Sequence, residues 1–258
     1  MDFQVKDRLF AVTGATSGFG AAIAHALLQE GASLIVNARQ PEGLEKLQQQ
    51  YGSRVEILQG DITTDAVIAD MFRKIGSRLL DGMVINAGGP PAKSFAETQM
   101  SDWDAAYASI LRWKVKITHE ILDKMGPQQY GRIVFIESAA VKQPIENLVL
   151  SNSMRLAVVG FVKTLSQEIA HMGITANVLA PGYHATPAME RLFEKKSMLL
   201  GISPNEAQAL FEKESLTGKL GDPADLASLA LWLLSPHAAF ITGQTISVDG
   251  GLIKGTMG

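Results

Sequence analysis

Seven short apolar runs punctuate this chain, most of them without alternation of polar and apolar positions. No other feature limits the fold as much. Residues 9–13, 33–37, 55–59, 82–86, 132–137, 175–179 and 244–248 read as strands. A strand with one wet face alternates, whereas a strand covered on both faces is apolar throughout, as in a parallel sheet. Longer helical patterns fit between the runs, at 18–30, 42–51, 65–77, 102–125, 150–171 and 223–234. Two helix starts are explicit. Ser203-Pro204-Asn205-Glu206 is a capping box with proline at the first helical position, and Asp222-Pro223 repeats the cap-then-proline device. The alternation predicts an α/β fold, a Rossmann-like doubly wound parallel sheet. No linker, low-complexity tract or internal repeat divides residues 1–258, so a single domain is expected.

One connection breaks the rule that loops in compact domains are short. About forty residues separate the strand ending at Leu179 from the helix starting at Pro223. They carry Met189, Leu192, Phe193, Met198, Leu199, Leu200, Leu210 and Phe211. The insertion leaves the carboxyl end of a strand, where open α/β sheets bind ligands. It reads as a helical lid, about 183–221, over a substrate pocket. In the plainer reading its apolar residues only pack helices onto the body.

Composition closes off several function classes. A formal net charge of −3 argues against nucleic acid or an anionic membrane as partner. No apolar run reaches the roughly 18 residues of a membrane span. The start, Met1-Asp2-Phe3-Gln4-Val5-Lys6-Asp7, lacks the apolar core of a signal peptide, so a cytoplasmic location is expected. Cysteine is absent, which excludes disulfides and thiolate chemistry. His25, His119, His171 and His237 are scattered and the carboxylates show no ligand cluster, so no metal site is expected.

The first strand runs into Thr13-Gly14-Ala15-Thr16-Ser17-Gly18-Phe19-Gly20. Glycines at 14, 18 and 20 allow a tight turn and close approach of backbone to a pyrophosphate, and the next helix offers free N–H groups to its charge. Asp61-Ile62 follows the third strand and Asn86-Ala87-Gly88 the fourth. Pro181-Gly182, with Thr186, follows the sixth, and Ile241-Thr242-Gly243-Gln244 leads to Asp249-Gly250-Gly251 near the end. In these ordered motifs the whole chain resembles the short-chain dehydrogenase/reductase family. The resemblance implies a nicotinamide dinucleotide held by Gly14, Thr16, Ser17, Gly18, Phe19, Gly20, Asp61, Ile62, Asn86, Ala87, Gly88, Pro181, Gly182 and Thr186. It also implies a small-molecule substrate and a homotetramer or homodimer. The second strand ends Val36-Asn37-Ala38-Arg39. NAD-preferring members place an acid where Ala38 stands; here Arg39 follows instead and suits a 2′-phosphate, so NADP(H) is expected over NAD(H).

The catalytic pattern departs from the family. Ser138 stands at the family's substrate-polarising serine, but Ser151 replaces the catalytic tyrosine and Arg155 the lysine one helical turn later. The supporting asparagine falls near Ile110. Positions four apart share a helix face, so the geometry is kept while the chemistry changes. A serine hydroxyl is a poor acid, whereas Arg155 keeps a permanent charge for ribose hydroxyls or an oxyanion. A divergent branch of the family carries the same S-N-x-x-R pattern, and the resemblance to it implies hydride addition to a carbonyl or a conjugated alkene. Loss of tyrosine, lysine and asparagine together also fits a cofactor-binding protein without turnover. Tyr183 and His184 follow Pro181-Gly182 and are substrate-side candidates. Tyr107 and Lys114 are weaker candidates, because their helix forms a dimer face in many family members.

Overall fold

Residues 2–256 are described in a computed structural model, and all seven expected strands are present. They are β1 (Leu9–Thr13), β2 (Ser33–Ala38), β3 (Val55–Gln59), β4 (Gly82–Ile85), β5 (Gly131–Ile136), β6 (Ile174–Pro181) and β7 (Thr245–Val248). They form one sheet in the order β3-β2-β1-β4-β5-β6-β7, parallel at every pairing. Nine α-helices accompany it among the described residues: α1 (Gly18–Gln29), α2 (Pro41–Tyr51), α3 (Asp65–Ile75), α4 (Met100–Ala106), α5 (Trp113–Met125), α6 (Val149–Ile169), α7 (Pro187–Leu200), α8 (Pro204–Glu214) and α9 (Pro223–Leu234).

Apolar residues on both faces of the central strands give the sheet two cores. Phe10, Val12, Leu34, Val36, Val134 and Ile136 point to one side, where α1, α2 and α9 bury Ile23, Leu27, Leu44, Leu226 and Leu234. Ala11, Ile35, Met83, Ile133 and Phe135 point to the other, against Met71 of α3, Trp113 and Ile117 of α5, and Val158 and Val162 of α6. The doubly wound sheet expected from the apolar runs is therefore the fold observed. Among the described residues no helix is long and apolar enough to cross a membrane.

One feature differs from the sequence reading. The expected helix at 102–125 is broken: α4 ends at Ala106, a π turn occupies Tyr107–Arg112, and α5 starts at Trp113. Such turns are inserted at a cost in regular hydrogen bonding and are frequent at functional sites. The long insertion is a helical pair, α7 and α8, with a small core of its own: Met189, Phe193, Ala207 and Phe211. The strand order reverses at β1, which pairs with both β2 and β4. The loops leaving β1, β4, β5 and β6 converge at that carboxyl edge, where α/β sheets bind ligands.

Candidate active site

The loop after β1 is shaped by its glycines. Gly14 has φ +61°, which side chains disfavour, and a Cβ on Gly20 would lie 2.1 Å from the Gly14 carbonyl oxygen. This contact brings the start of α1 against the strand end. Ser17 caps α1 in extended conformation without spending its hydroxyl on the helix, and it is exposed. Thr13 braces the floor: its Oγ1 donates to the Asn86 carbonyl at 2.7 Å and accepts from the Asn86 N–H at 2.8 Å. A Cβ on Gly18 would touch the Thr186 methyl at 3.4 Å, so the Thr186 segment lies against the glycine loop. Arg39 is exposed, and among the described residues no carboxylate forms an ion pair with it. Asp61 is exposed and accepts from Thr63 through Oδ1, while Ile62 beside it is buried. The residues present fit a dinucleotide whose pyrophosphate rests on the α1 N-terminus and whose 2′-phosphate meets Arg39.

The candidate catalytic residues Ser151 and Arg155 meet at the carboxyl end of β5. Ser138 follows β5, and its Oγ accepts from the Ala140 N–H at 3.2 Å, leaving its own proton to donate. On α6, Arg155 Nε donates to Ser151 Oγ at 3.1 Å. Arg155 is 8% exposed and its charge is not free. Nη1 donates to the Glu137 backbone carbonyl at 3.1 Å and to Glu137 Oε2 at 3.0 Å. A Cβ on Gly89 would lie 3.2 Å from Arg155 Nη2, so the absence of a side chain there lets this nitrogen reach the loop after β4. The other Glu137 oxygen, Oε1, pairs with Lys114 Nζ. Alternation explains why: Ile133 and Phe135 of β5 face α5 and α6, and Glu137 continues that side. Its side chain is fully buried between the two helices.

Sequence reasoning missed Glu137. It stood at the end of an expected strand and carried no motif; its only signal was a carboxylate where apolar residues were due. Lys114 needs correction as well. The family resemblance put its helix on an outward face, yet Lys114 is 2% exposed and points inward, directly after the π turn. Burial pushes the Lys114 ammonium below its ordinary range; Glu137 opposes that shift and Arg155 adds to it. Tyr107 stays at the surface, 48% exposed. Ile110 is buried in the apolar core, with no polar function.

Tyr183 and His184 take different positions. Tyr183 lines a small cavity with Ala139, Gln143, Pro144, Ile145, Glu214, Leu252 and Ile253. Its hydroxyl donates to Glu214 Oε2 at 3.0 Å. Burial, and then the Glu214 charge, push the phenol well above its ordinary value, so it is a poor acid. His184 is buried, with Nδ1 3.2 Å from the Gly182 carbonyl oxygen and its ring edge-on to Phe19 at 5.0 Å. Burial lowers its pKa. His184 thus packs the base of the lid against the glycine loop, while Tyr183 faces the cavity. The closing segment shapes the opposite wall: Asp249 accepts from the Gly251 and Ile253 N–H groups, turning Leu252 and Ile253 toward the cavity. Lys195 of α7 ties the lid to the loop after β4 through the Ala92 carbonyl at 2.9 Å.

Known proteins share this sequence pattern and fold over nearly the whole chain. Residues 14–253 match a family model described as enoyl-(acyl carrier protein) reductase. Nodulation protein G of Rhizobium sp. (strain N33) is 30% identical over 253 residues, covering 97% of this chain and 98% of that protein. The crystal structure of YwfH, an NADPH-dependent reductase involved in bacilysin biosynthesis, superposes with a TM-score of 0.92 at 28% identity, over 97% of this chain and 100% of that one. L-Sorbose reductase from Gluconobacter frateurii, complexed with NADPH and L-sorbose, gives 0.90 at 26% identity, over 99% and 100% of the two chains.

Proposed function

We propose that this chain, which belongs to the short-chain dehydrogenase/reductase family and is an oxidoreductase, reduces small conjugated carbonyl compounds with NADPH through an active site in which Arg155 replaces acid catalysis by charge stabilisation. The glycine loop, Asn86, Thr186 and the free Arg39 guanidinium hold the dinucleotide. The NADPH named for YwfH and L-sorbose reductase supports the same cofactor here. When bound, a reduced nicotinamide supplies a hydride to the substrate.

The observation that carries the reading is Arg155, buried at the strand ends where the family has its lysine, donating to Ser151 and reaching the loop after β4. A carbonyl reduced directly becomes an alkoxide and needs a proton at oxygen. Ser151 is a weak donor for that, and Tyr183 is bonded to Glu214. Conjugate addition instead develops charge on an enolate oxygen, and the proton ends on carbon. Preorganised donors aimed at the oxygen then matter more than an acid. Ser138 donates from one side, its oxygen already engaged with Ala140, and Arg155 supplies the positive field. Pro144, Ile145, Leu252 and Ile253 give the cavity beside Ala139, the residue after Ser138, an apolar wall that suits a small substrate. Joint loss of tyrosine, lysine and asparagine, with Ile110 buried, favours a second reading: cofactor binding without turnover.

One assay separates the two. NADPH oxidation is followed with a panel of conjugated enones, α-keto acids and β-ketoacyl thioesters. We expect enones to be reduced fastest, Ser151→Ala to keep most activity, and Arg155→Met to lose on the order of 10²-fold in kcat. Reduction of unconjugated ketones only, or abolition of turnover by Ser151→Ala with cofactor still bound, refutes the mechanism. No turnover with any substrate supports the second reading.

A further inference from the structure

The buried groups beneath the site do more than pack. Between α5 and α6 the protein encloses two cations and one carboxylate: Lys114, Arg155 and Glu137. Side-chain exposures are 3%, 10% and 0%. Each ion taken from water costs several kcal/mol, and apolar residues of similar volume commonly replace such clusters without loss of stability. Stability is therefore a weak reason to keep this one.

Charge arithmetic supplies a stronger reason. Glu137 alone would neutralise Arg155: it takes Nη1 through both its backbone carbonyl and Oε2. It does not, because its other oxygen is engaged by Lys114. The cluster sums to one surplus positive charge. The only members of the cluster touching the site surface are the Arg155 atoms: Nε meets Ser151 Oγ, and Nη2 lies beside Gly89. Glu137 thus does two jobs with one side chain. It fixes the plane of the guanidinium by holding Nη1, which aims Nη2 at the loop after β4, and it transmits the Lys114 charge to that guanidinium.

We propose that Glu137 and Lys114 are positioning residues for an anion-binding site at Arg155: Glu137 orients the guanidinium, and Lys114 offsets the Glu137 charge so that Arg155 keeps a net positive charge for an anionic oxygen of the substrate. The inference rests on the reading of Arg155 as the group that stabilises the enolate, and it extends that reading to two residues out of reach of any substrate. The charged groups facing Lys114 are Glu137 from the end of β5 and Arg155 from α6; the Trp113 ring, 5.8 Å away on α5, is its aromatic neighbour.

The test uses 4-nitrophenol, whose phenolate mimics an enolate oxygen and is seen by its visible absorbance, bound to the protein in complex with NADP⁺. Wild type should bind the phenolate in preference to the neutral phenol. Lys114→Met leaves a neutral Arg155–Glu137 pair in place of a net positive charge; because Lys114 acts through Arg155, phenolate binding should weaken by about tenfold, the low end of the one to three pKa units that an opposite charge within ~4–6 Å produces. Lys114→Arg should retain it. The double variant Lys114→Met/Glu137→Gln restores one positive charge and should regain most of the lost affinity, although it removes one more polar contact. A purely structural role predicts the opposite order, with the double variant no better than the single. Equal affinity of wild type for phenol and phenolate, unchanged binding in Lys114→Met, or no recovery in the double variant each overturns the proposal. The wild-type measurement stands even if Lys114→Met fails to fold. Turnover does not enter, so failure of the enone assay and failure of this inference are distinguishable.

Discussion

At the residue scale, cofactor choice in the proposed function rests on one position. Arg39 leaves the end of β2 into solvent with no carboxylate ion pair among the described residues, and the residue before it is Ala38, where an acid would repel a phosphate. One charge-assisted contact is worth roughly 1.5–3 kcal/mol, or about 10- to 150-fold in affinity. Arg39→Ala should therefore weaken NADPH binding by about that factor and leave NADH nearly unchanged. Quenching of Trp103, Trp113 or Trp232 fluorescence during titration of each cofactor would show it. An unchanged ratio of the two affinities would mean that the 2′-phosphate is bound elsewhere. The exposed place of Arg39 was legible in the sequence because it depends only on a strand end and the residue before it. Glu137 was not, because its role depends on what α5 and α6 bring to it.

At the element scale, α7 and α8 behave as a unit. Phe193 and Phe211 meet at a tilt, ring centres 5.4 Å apart, within the lid, and Tyr183 meets Phe211 edge-on at 4.9 Å. The far end of α7 presents Met198, Leu199 and Leu200 to solvent, at 81%, 70% and 56% exposure. A segment that packs mainly on itself opens locally before the domain unfolds. Amides of residues 187–214 should exchange faster than those of β4 and β5 in the free protein, and slow when cofactor and substrate bind. Protection equal to the central strands in the free protein would make the pair a fixed part of the body. The sequence showed where the helices start, since the Ser203 box and the Asp222 cap are local hydrogen-bond patterns, and both are present. It showed the strands because two-sided burial leaves an apolar run. It did not show the break in the expected helix at 102–125. The π turn at Tyr107–Arg112 has no local signature; it packs against α6 and buries Ile110 in the core beside the sheet.

Over the whole molecule, the two ends of the sheet do different work. The carboxyl ends carry the site. At the amino ends Arg132 is 3% exposed, with no carboxylate ion pair among the described residues, and it donates to the carbonyls of Ser235, Gly131 and Gly173. Its guanidinium also lies 4.3 Å from the centre of the Tyr130 ring. It joins β5 to the ends of α9 and of the turn before β6. Arg132→Met would take a charged donor from each of these carbonyls, of which Ser235 keeps the Ala238 N–H; hydrogen bonds to a charged group are worth about 1.5–3 kcal/mol, so the change should lower the denaturation midpoint without changing NADPH affinity. Loss of cofactor binding at unchanged stability would contradict that division. The buried triad at the opposite end makes three positions interdependent. A buried carboxylate keeps its charge at low cost only beside a cation, and Glu137 divides its two oxygens between Lys114 and Arg155. Removing either cation leaves the other to carry the whole acid, so substitutions at 114, 137 and 155 should not add. The three side chains therefore behave as one unit of change, and no one of them can be exchanged without redefining the charge of the other two.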